Sequence, residues 1–276
     1  MKLFKKVAIV GVGLIGGSIA LAIKKKRLAY EVVGITRHKR TLSLAKKSGA
    51  IDRGSQSLEI IKGADLLILA TPVNTILNLA PAISKIIDSR CIVMDVGSTK
   101  EAIVAKLDKI FPQFVGAHPL AGSERRGVIN ASSNILEDSL CILTPTAKTS
   151  ARALKMIQVF WRQLGARVSL LTPKAHDKIL SLVSHLPHLA AFSLIETIPT
   201  QYLKFSASGL KGTSRVALSD AQLWADIFLT NRKNMLNAIG GFEKNISRLK
   251  SAIKNKNRKQ AISILEKARN KRERIE

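Results

Sequence analysis

Residues 7–10 form a short apolar run, and directly after it the chain reads Gly11-Val12-Gly13-Leu14-Ile15-Gly16-Gly17-Ser18 before helical spacing continues to a basic cluster at 24–27. No other stretch limits the fold so tightly. A strand that enters such a loop and leaves it as a helix needs glycine where the chain turns, where backbone approaches a ligand, and where helix packs on strand. The helix N-terminus then offers free N–H groups and the positive end of its dipole to a phosphate. Gly11, Gly13 and Gly16 occupy those places with Leu14 and Ile15 between them, which makes these five residues the expected pyrophosphate cradle of a dinucleotide cofactor. The competing reading is a glycine turn required only for packing.

Further apolar, β-rich runs lie at 32–35, 66–70, 92–95, 114–117, 140–143 and 168–171, most of them separated by stretches with three-and-four spacing. Strands alternating with helices imply parallel pairing, because a parallel crossover needs a helix-length connection. The expected fold is therefore α/β, with an N-terminal Rossmann-type doubly wound sheet over residues 1–168. Thr172 and Pro173 suit a helix start, with proline in the first turn. Beyond them the strand signal disappears, so residues 169–276 are expected to form an all-helical domain. Residues 255–257 interrupt the last helical pattern, which then resumes. That end-piece suits a solvated helix by its charged face, or else an oligomer contact.

Composition removes several classes. With 46% hydrophobic residues in 276, the chain can bury a core, which excludes wholesale disorder. Its cysteines are Cys91 and Cys141, too few for a disulfide-stapled scaffold and consistent with a reducing, cytoplasmic home. Both lie in strand runs, where buried inert thiols are expected. Residues 66–84 carry no charge over a membrane-spanning length, but Pro72, Asn74, Asn78 and Pro81 punctuate them as a strand, turn and helix would, so no membrane helix is expected. Lys2, Lys5 and Lys6 before an apolar run mimic a signal peptide, yet the glycines fit a buried strand and turn better. Formal charge is +26, of which residues 244–276 carry +9. The excess is spread over both halves without interleaved aromatics, zinc spacing or a recognition helix, so no specific nucleic-acid partner is expected.

At the end of the second strand, binders of NAD usually place a carboxylate for the ribose 2′-hydroxyl. Here the chain reads Thr36-Arg37-His38-Lys39-Arg40. Thr36 can hydrogen-bond a 2′-phosphate and Arg37 can pair with it, which favours NADP over NAD while leaving NAD possible. The other reading is an ordinary exposed basic turn, with His38 at the surface or beside the adenine.

Three polar stations sit where strands end: Thr71-Pro72-Val73, then Asp95-Val96-Gly97-Ser98-Thr99-Lys100, then Gly116-Ala117-His118-Pro119-Leu120-Ala121-Gly122-Ser123-Glu124. Ligands of such sheets bind beyond the carboxyl ends of the strands, so Thr71, Pro72 and Ser98 are expected to face the nicotinamide. His118 is the leading acid or base, since imidazole exchanges a proton near neutral pH, and Ser98 is placed to orient it. By position alone a structural histidine stays open. Trp161 and Trp224 sit amid helical apolar spacing and read as core.

The glycine loop Gly11 to Ser18, then Asp95-Val96-Gly97-Ser98-Thr99-Lys100, then His118-Pro119-Leu120-Ala121-Gly122-Ser123-Glu124, then Ser184-His185-Leu186-Pro187-His188, in this order, resemble the prephenate and arogenate dehydrogenases of tyrosine biosynthesis over residues 6–240. The resemblance implies a nucleotide-binding domain followed by a helical dimerisation domain, and hence a homodimer. It implies oxidative decarboxylation of prephenate to 4-hydroxyphenylpyruvate, or of arogenate to tyrosine. Hydride leaves the ring carbon that bears the hydroxyl, the hydroxyl loses its proton, and carbon dioxide departs as the ring becomes aromatic. It further implies that His118 contacts that hydroxyl with Ser98 as its hydrogen-bonding partner.

By the same resemblance His185 and His188 bind or polarise the substrate. Their spacing of three places them on one helix face. A metal pair would lack an evident third ligand beyond Asp177 or Glu196, so no metal site is expected, and a helix-capping role around Pro187 stays open. The segment Ser208-Gly209-Leu210-Lys211-Gly212-Thr213-Ser214-Arg215 resembles the family segment ending in Thr-Arg, with Ser214 for threonine, Leu210 for phenylalanine and Gly212 for an acidic residue. Arg215 then grips a substrate carboxylate, with Lys211 assisting; a surface salt bridge is the alternative for Arg215. Glu124 orients loop groups or caps the next turn, and Arg125 and Arg126 attract the substrate or face water. Two rivals remain at this stage: another nicotinamide-dependent dehydrogenase with a helical dimer domain, and a basic nucleic-acid-binding or scaffold protein.

Overall fold

The computed structural model describes residues 2–122 and 125–275. Its first part alternates strand and helix: β1 (Phe4–Val10), α1 (Leu14–Lys25), β2 (Ala29–Ile35), α2 (Lys39–Lys47), β3 (Arg53–Ser55), β4 (Leu66–Leu69), α3 (Val73–Ile83), β5 (Ile92–Asp95), α4 (Glu101–Leu107), β6 (Phe114–Leu120), β7 (Leu140–Thr144), α5 (Ala151–Gln163) and β8 (Arg167–Leu170). The strands form one eight-stranded sheet in the order β3-β2-β1-β4-β5-β6-β7-β8. Order reverses beside β1, so the carboxyl ends of β1 and β4 flank the crevice where such sheets bind ligands.

Period-two alternation divides the core. Val7 and Ile9 of β1 face a cluster with Ile19, Ile23, Phe160 and Trp161. Ala8 and Val10 face the opposite cluster with Ile76, Ile83, Val104 and Phe111. Both faces of the central strands are covered by helices, which is why β4 reads Leu-Leu-Ile-Leu without a polar break.

Three details depart from the sequence expectation. β3 is an Arg-Gly-Ser edge strand paired with β2, with no apolar residue to announce it. β6 extends to Leu120, which places His118 within the strand, opposite Ile142, and not in a loop after it. β7 runs antiparallel to β6. Among the described residues the chain between them forms short 3-10 turns at Val128–Asn130 and Ser133–Leu136 and no crossover helix, and it returns antiparallel.

Helices follow: α6 (Pro173–Leu180), one π-helical turn (Ser181–His185), α7 (Leu186–Glu196), α8 (Ser208–Ser214), α9 (Ala221–Thr230), α10 (Arg232–Lys254) and α11 (Arg258–Arg272). Thr172 caps α6 by accepting from Ala175 N at 3.2 Å, with Pro173 in the first turn. The chain divides into compact units Met1–Asn231 and Arg232–Glu276. This division falls well after the change from α/β to helical sequence, because α6 and α9 are tied to the sheet layer by side chains: Asn74 Nδ2 donates to Asp226 at 2.7 Å, and the Thr99 and Thr230 hydroxyls meet at 3.0 Å. In the second unit, α10 turns into α11 through Lys256, whose φ is 52°, and Asn257 caps α11 by accepting from Gln260 N.

Among the described residues, the stretch Pro173–Glu196 is long and apolar enough to cross a membrane by length and composition. It also buries His176, Asp177, Ser181 and His185, which gives it a polar protein-facing side.

Phe160 is fully buried, edge-on to Phe4 and to Trp161 with ring centroids 6.0 and 5.8 Å apart. Phe160→Ala should lower unfolding free energy by about 3–5 kcal/mol through lost burial and the cavity left behind. Urea titration should show a lower midpoint with unchanged slope.

Candidate active site

The glycine loop follows β1, and each glycine has a separate steric reason. Gly11 has φ +97°, and a Cβ there would lie 2.5 Å from the Ala70 carbonyl oxygen. At Gly16 a Cβ would meet the Gly11 carbonyl oxygen at 2.0 Å, so the helix could not pack on the turn. Gly13 is different, since a Cβ there meets nothing within 4 Å. Its lack of a side chain answers no internal contact, which fits a backbone kept bare for a ligand. Helix α1 starts at the half-buried Leu14 and Ile15 with no side-chain cap and no acidic residue in its first turn, so its dipole end is left for an anion. Across the crevice, the Thr71 hydroxyl is buried without a hydrogen-bond partner, and exposed Pro72 precedes α3. An orphaned buried hydroxyl beside an open glycine fits a dinucleotide. Thr36 is half-buried at the end of β2, and Arg37 is exposed, its carbonyl held by Gln56 Nε2 at 2.5 Å.

Behind the loop after β5 lies a buried ion pair. Lys100 and Asp95 are both fully buried and in direct contact through Nζ and Oδ2. Burial pushes the Asp95 carboxyl up, against the pull of Lys100 and of the Gly97 and Ala117 N–H groups. Leaving either charge unpaired here would cost about 3–5 kcal/mol. Ser98 sits half-buried on the same loop.

His118 and His176 stand side by side, Nδ1 to Nε2 at 2.8 Å. His176 Nδ1 in turn meets Asp177 Oδ1 at 2.8 Å. Asp177 also accepts from the backbone N–H of Lys100 at 2.7 Å and of Glu101 at 2.9 Å, so a carboxylate from α6 caps α4. Burial opposes its charge, but the His176 bond and the two backbone bonds outweigh that and hold the carboxyl below its usual range. Burial first, then His176, Lys100 and His185, push His118 well below the ordinary histidine value. His176 is lowered too, chiefly by burial, with the Asp177 bond opposing. Both shifts favour the neutral imidazole.

His185 and His188 do lie on one side of their helix, where both meet Trp224. His188 stacks on the indole at 3.5 Å between centroids, and His185 meets it edge-on at 6.0 Å. Trp161 and Trp224 are both buried, as the sequence suggests, and Trp224 in addition packs against the two histidines. Asn231 Nδ2 donates to the Asp177 carbonyl at 2.8 Å and meets His185 Nδ1 at 3.2 Å. That bond leaves the proton of His185 on Nε2, which is buried without a partner. Burial lowers the His185 pKa to about 4. His188 Nδ1 donates to the Ser184 carbonyl at 3.0 Å. Its pKa is lowered by burial, against that carbonyl's pull, and further by the charge of Arg215. Arg215 is therefore electrostatically coupled to His188, one turn after exposed Lys211. Arg126 pairs with Asp220 at 2.7 Å. Glu124 lies outside the described residues. Among the described residues no cluster of three or more His, Cys, Asp or Glu side chains could hold a metal.

His176 and Asn231 escaped the sequence reading. Asp177 had entered only as a candidate metal ligand, and Lys100 only within a motif. The signal available for His176 was its place beside Asp177 in the first turns of a helix opened by Thr172-Pro173, but nothing local says that this turn lies against β6.

Residues 19–170 match the family described as prephenate dehydrogenase, nucleotide-binding domain, and residues 172–267 match prephenate dehydrogenase, dimerization domain. The chain is 32% identical to a prephenate dehydrogenase of Bacillus subtilis, over 97% of this chain and 75% of that protein. It is also 32% identical to a cyclohexadienyl dehydrogenase of Zymomonas mobilis, over 92% and 90%. A crystal structure of prephenate dehydrogenase from A. aeolicus, in complex with hydroxyphenyl propionate and NAD+, superposes with a TM-score of 0.93 at 35% identity, over 99% of this chain and 98% of that one. With a glycine-cradled helix end, a neutral histidine in β6 and a paired-histidine helix matched along nearly the whole chain, this protein belongs to the prephenate dehydrogenase family.

Proposed function

We propose that this chain carries out the oxidative decarboxylation of prephenate or arogenate, with a nicotinamide dinucleotide bound across Gly11, Gly13, Leu14, Ile15 and Gly16. The observation that carries this reading is His118, fixed inside β6, hydrogen-bonded through Nδ1 and kept neutral by burial. A neutral imidazole of low basicity in a paired strand is a proton acceptor with little freedom to move.

When bound, the nicotinamide supplies the hydride acceptor. His118 takes the proton of the substrate's ring hydroxyl. Ser98 is expected from the sequence as the hydrogen-bonding partner of His118, but His118 Nδ1 is taken by His176 at 2.8 Å, so on the adjoining loop Ser98 is left to meet the substrate oxygen. Thr71 and Pro72 border the crevice and keep the ring face in place. His185 offers its Nε2–H, and His188 with Trp224 forms a flat wall against which a six-membered ring can lie. Arg215 pairs with a substrate carboxylate and Lys211 adds positive charge. Glu124 is kept as a loop-orienting residue. Aromatisation drives the chemistry, so the protein's contribution is chiefly positioning and one proton acceptor.

For the cofactor we favour NADP, with NAD also accepted. Arg37 is exposed at the end of β2 with its backbone anchored by Gln56, and the Thr36 to Arg40 run lacks a carboxylate to repel a 2′-phosphate.

The chain is read as a homodimer formed through its helical half. Helix α7 is mostly apolar, yet Ala191 is its one buried residue, and nearby Leu182, Val183 and Phe205 are 52%, 66% and 75% exposed. Surface of that kind is what a second copy would cover. The two buried free thiols suit a cytoplasmic protein.

His118→Asn should lower kcat by about 100- to 10,000-fold, the usual span for loss of a general base. Cofactor affinity, read by fluorescence titration, should stay within about threefold, and an unaltered kcat would refute the role. Arg215→Ala should raise KM for prephenate by about 10- to 100-fold, as loss of a charged hydrogen bond does. Steady-state kinetics decide it, since an unmoved KM removes Arg215 from the carboxylate site. Arg37→Ala should shift the ratio of kcat/KM for NADP over NAD towards NAD; equal losses with both nucleotides would contradict the 2′-phosphate contact.

A further inference from the structure

His118, His176 and Asp177 form a chain of three side chains in which each proton position follows from the next. Asp177 accepts the N–H groups of Lys100 and Glu101, and its remaining contact is His176 Nδ1. A carboxylate can only accept, so His176 carries its proton on Nδ1. Burial favours the neutral form of His176, and in that form its Nε2 is a lone pair facing His118 Nδ1 at 2.8 Å. That contact is a hydrogen bond only if His118 carries its proton on Nδ1. The lone pair of His118 then lies on Nε2.

We propose that His176 and Asp177 are positioning residues that lock His118 in its Nδ1–H tautomer, making Nε2 the nitrogen that accepts the proton of the substrate hydroxyl. This rests on His118 being the proton acceptor. In the step, the substrate O–H bond breaks and an Nε2–H bond forms. The oxygen keeps the electron pair and becomes a carbonyl as the ring carbon loses hydride to the cofactor. The charge that appears on His118 is met by a hydrogen bond already in place, with Asp177 two links away. A second shell of this kind fixes ring orientation and tautomer at once.

The surroundings impose the arrangement from every side. Lys100, fully buried and paired with Asp95, sets a cation near both imidazoles and disfavours their protonation. His185 adds to that effect on His118. Cys141 on β7 is buried and its thiol is pushed well above the ordinary value, so it remains neutral. Asp177 is itself fixed by the start of α4 and, through its carbonyl, by Asn231. A rotation of either imidazole would leave a buried nitrogen unpaired.

The test uses the whole protein labelled with 15N-histidine, whose five imidazoles give a spectrum simple enough to assign by subtracting that of His118→Asn. At pH 7 His118 should show a protonated Nδ1 and an unprotonated Nε2. Kinetics of two variants accompany it. His176→Phe keeps a ring but offers no acceptor, and should lower kcat by about 100- to 10,000-fold, as tautomer loss does in serine proteases. KM for prephenate and for the nucleotide should stay within about threefold. His176→Gln presents an amide oxygen to Nδ1–H and should recover at least about tenfold of that loss, on the same grounds. An Nε2–H tautomer at His118 overturns the proposal, and so does native turnover in His176→Phe. The spectrum of the unmutated protein decides the matter should the phenylalanine variant fail to fold. Loss of turnover in His118→Asn together with native turnover in His176→Phe would defeat this inference alone; native turnover in His118→Asn would defeat the reading beneath it.

Discussion

Asp177 is almost wholly buried, yet its two oxygens receive the start of α4 and the imidazole of His176, while its carbonyl receives Asn231. A charge withdrawn from water survives only when its lone pairs are satisfied, and here the satisfied bonds come from three separate segments of the chain. The loop after β5, the first helix of the all-helical sequence and the end of α9 are thereby held to one another. His118 inherits its orientation from that junction, because its own strand fixes the backbone and His176 holds the ring nitrogen.

Around this junction burial and Lys100 lower the imidazole pKa values, against the pull of Asp177 and Asp95 on His176. Lys100 and Asp95 form a pair with no exposed surface just behind the polar loop, and the net effect on the nearby imidazoles is to keep them uncharged. A dianionic substrate would by itself draw a proton onto a histidine. Burial and a nearby ammonium group counter that tendency at His118 and His176. The glycine loop, by contrast, contributes through what it omits. Gly11 and Gly16 leave no space for a side chain, whereas Gly13 has open space where a cofactor would approach.

Most of the fold was legible because its signals are local: a strand, three glycines and a helix in immediate succession, apolar runs at strand length, and a Thr-Pro helix start. β3 was illegible because an edge strand of Arg-Gly-Ser makes no apolar pattern. The reversal of β7 was hidden since strand direction depends on what the connecting segment lacks. At the site, His118, His185 and His188 stood out through motif context, and Arg215 through a segment with three substitutions. His176 had no motif of its own. Its meaning arises from a contact with β6 across 58 positions of sequence, and such contacts leave no local pattern. Trp224 is buried as its helical spacing suggests, but its histidine neighbours were hidden, because an aromatic at that spacing reads the same whether it packs on leucine or on histidine.

The π-helical turn at Ser181–His185 has a consequence for how this helix can vary. Such a turn holds one more residue than an α-turn, and a residue's worth of rotation is about 100°. Shortening the turn by one residue would leave α6 and its His176-Asp177 pair where they are and spin everything downstream by that angle. His188 would swing off the indole of Trp224, and the apolar side of α7 would be re-aimed with it. The bulge thus works as a phase-setter: it lets one continuous rod serve two partners whose directions do not share a common helical register.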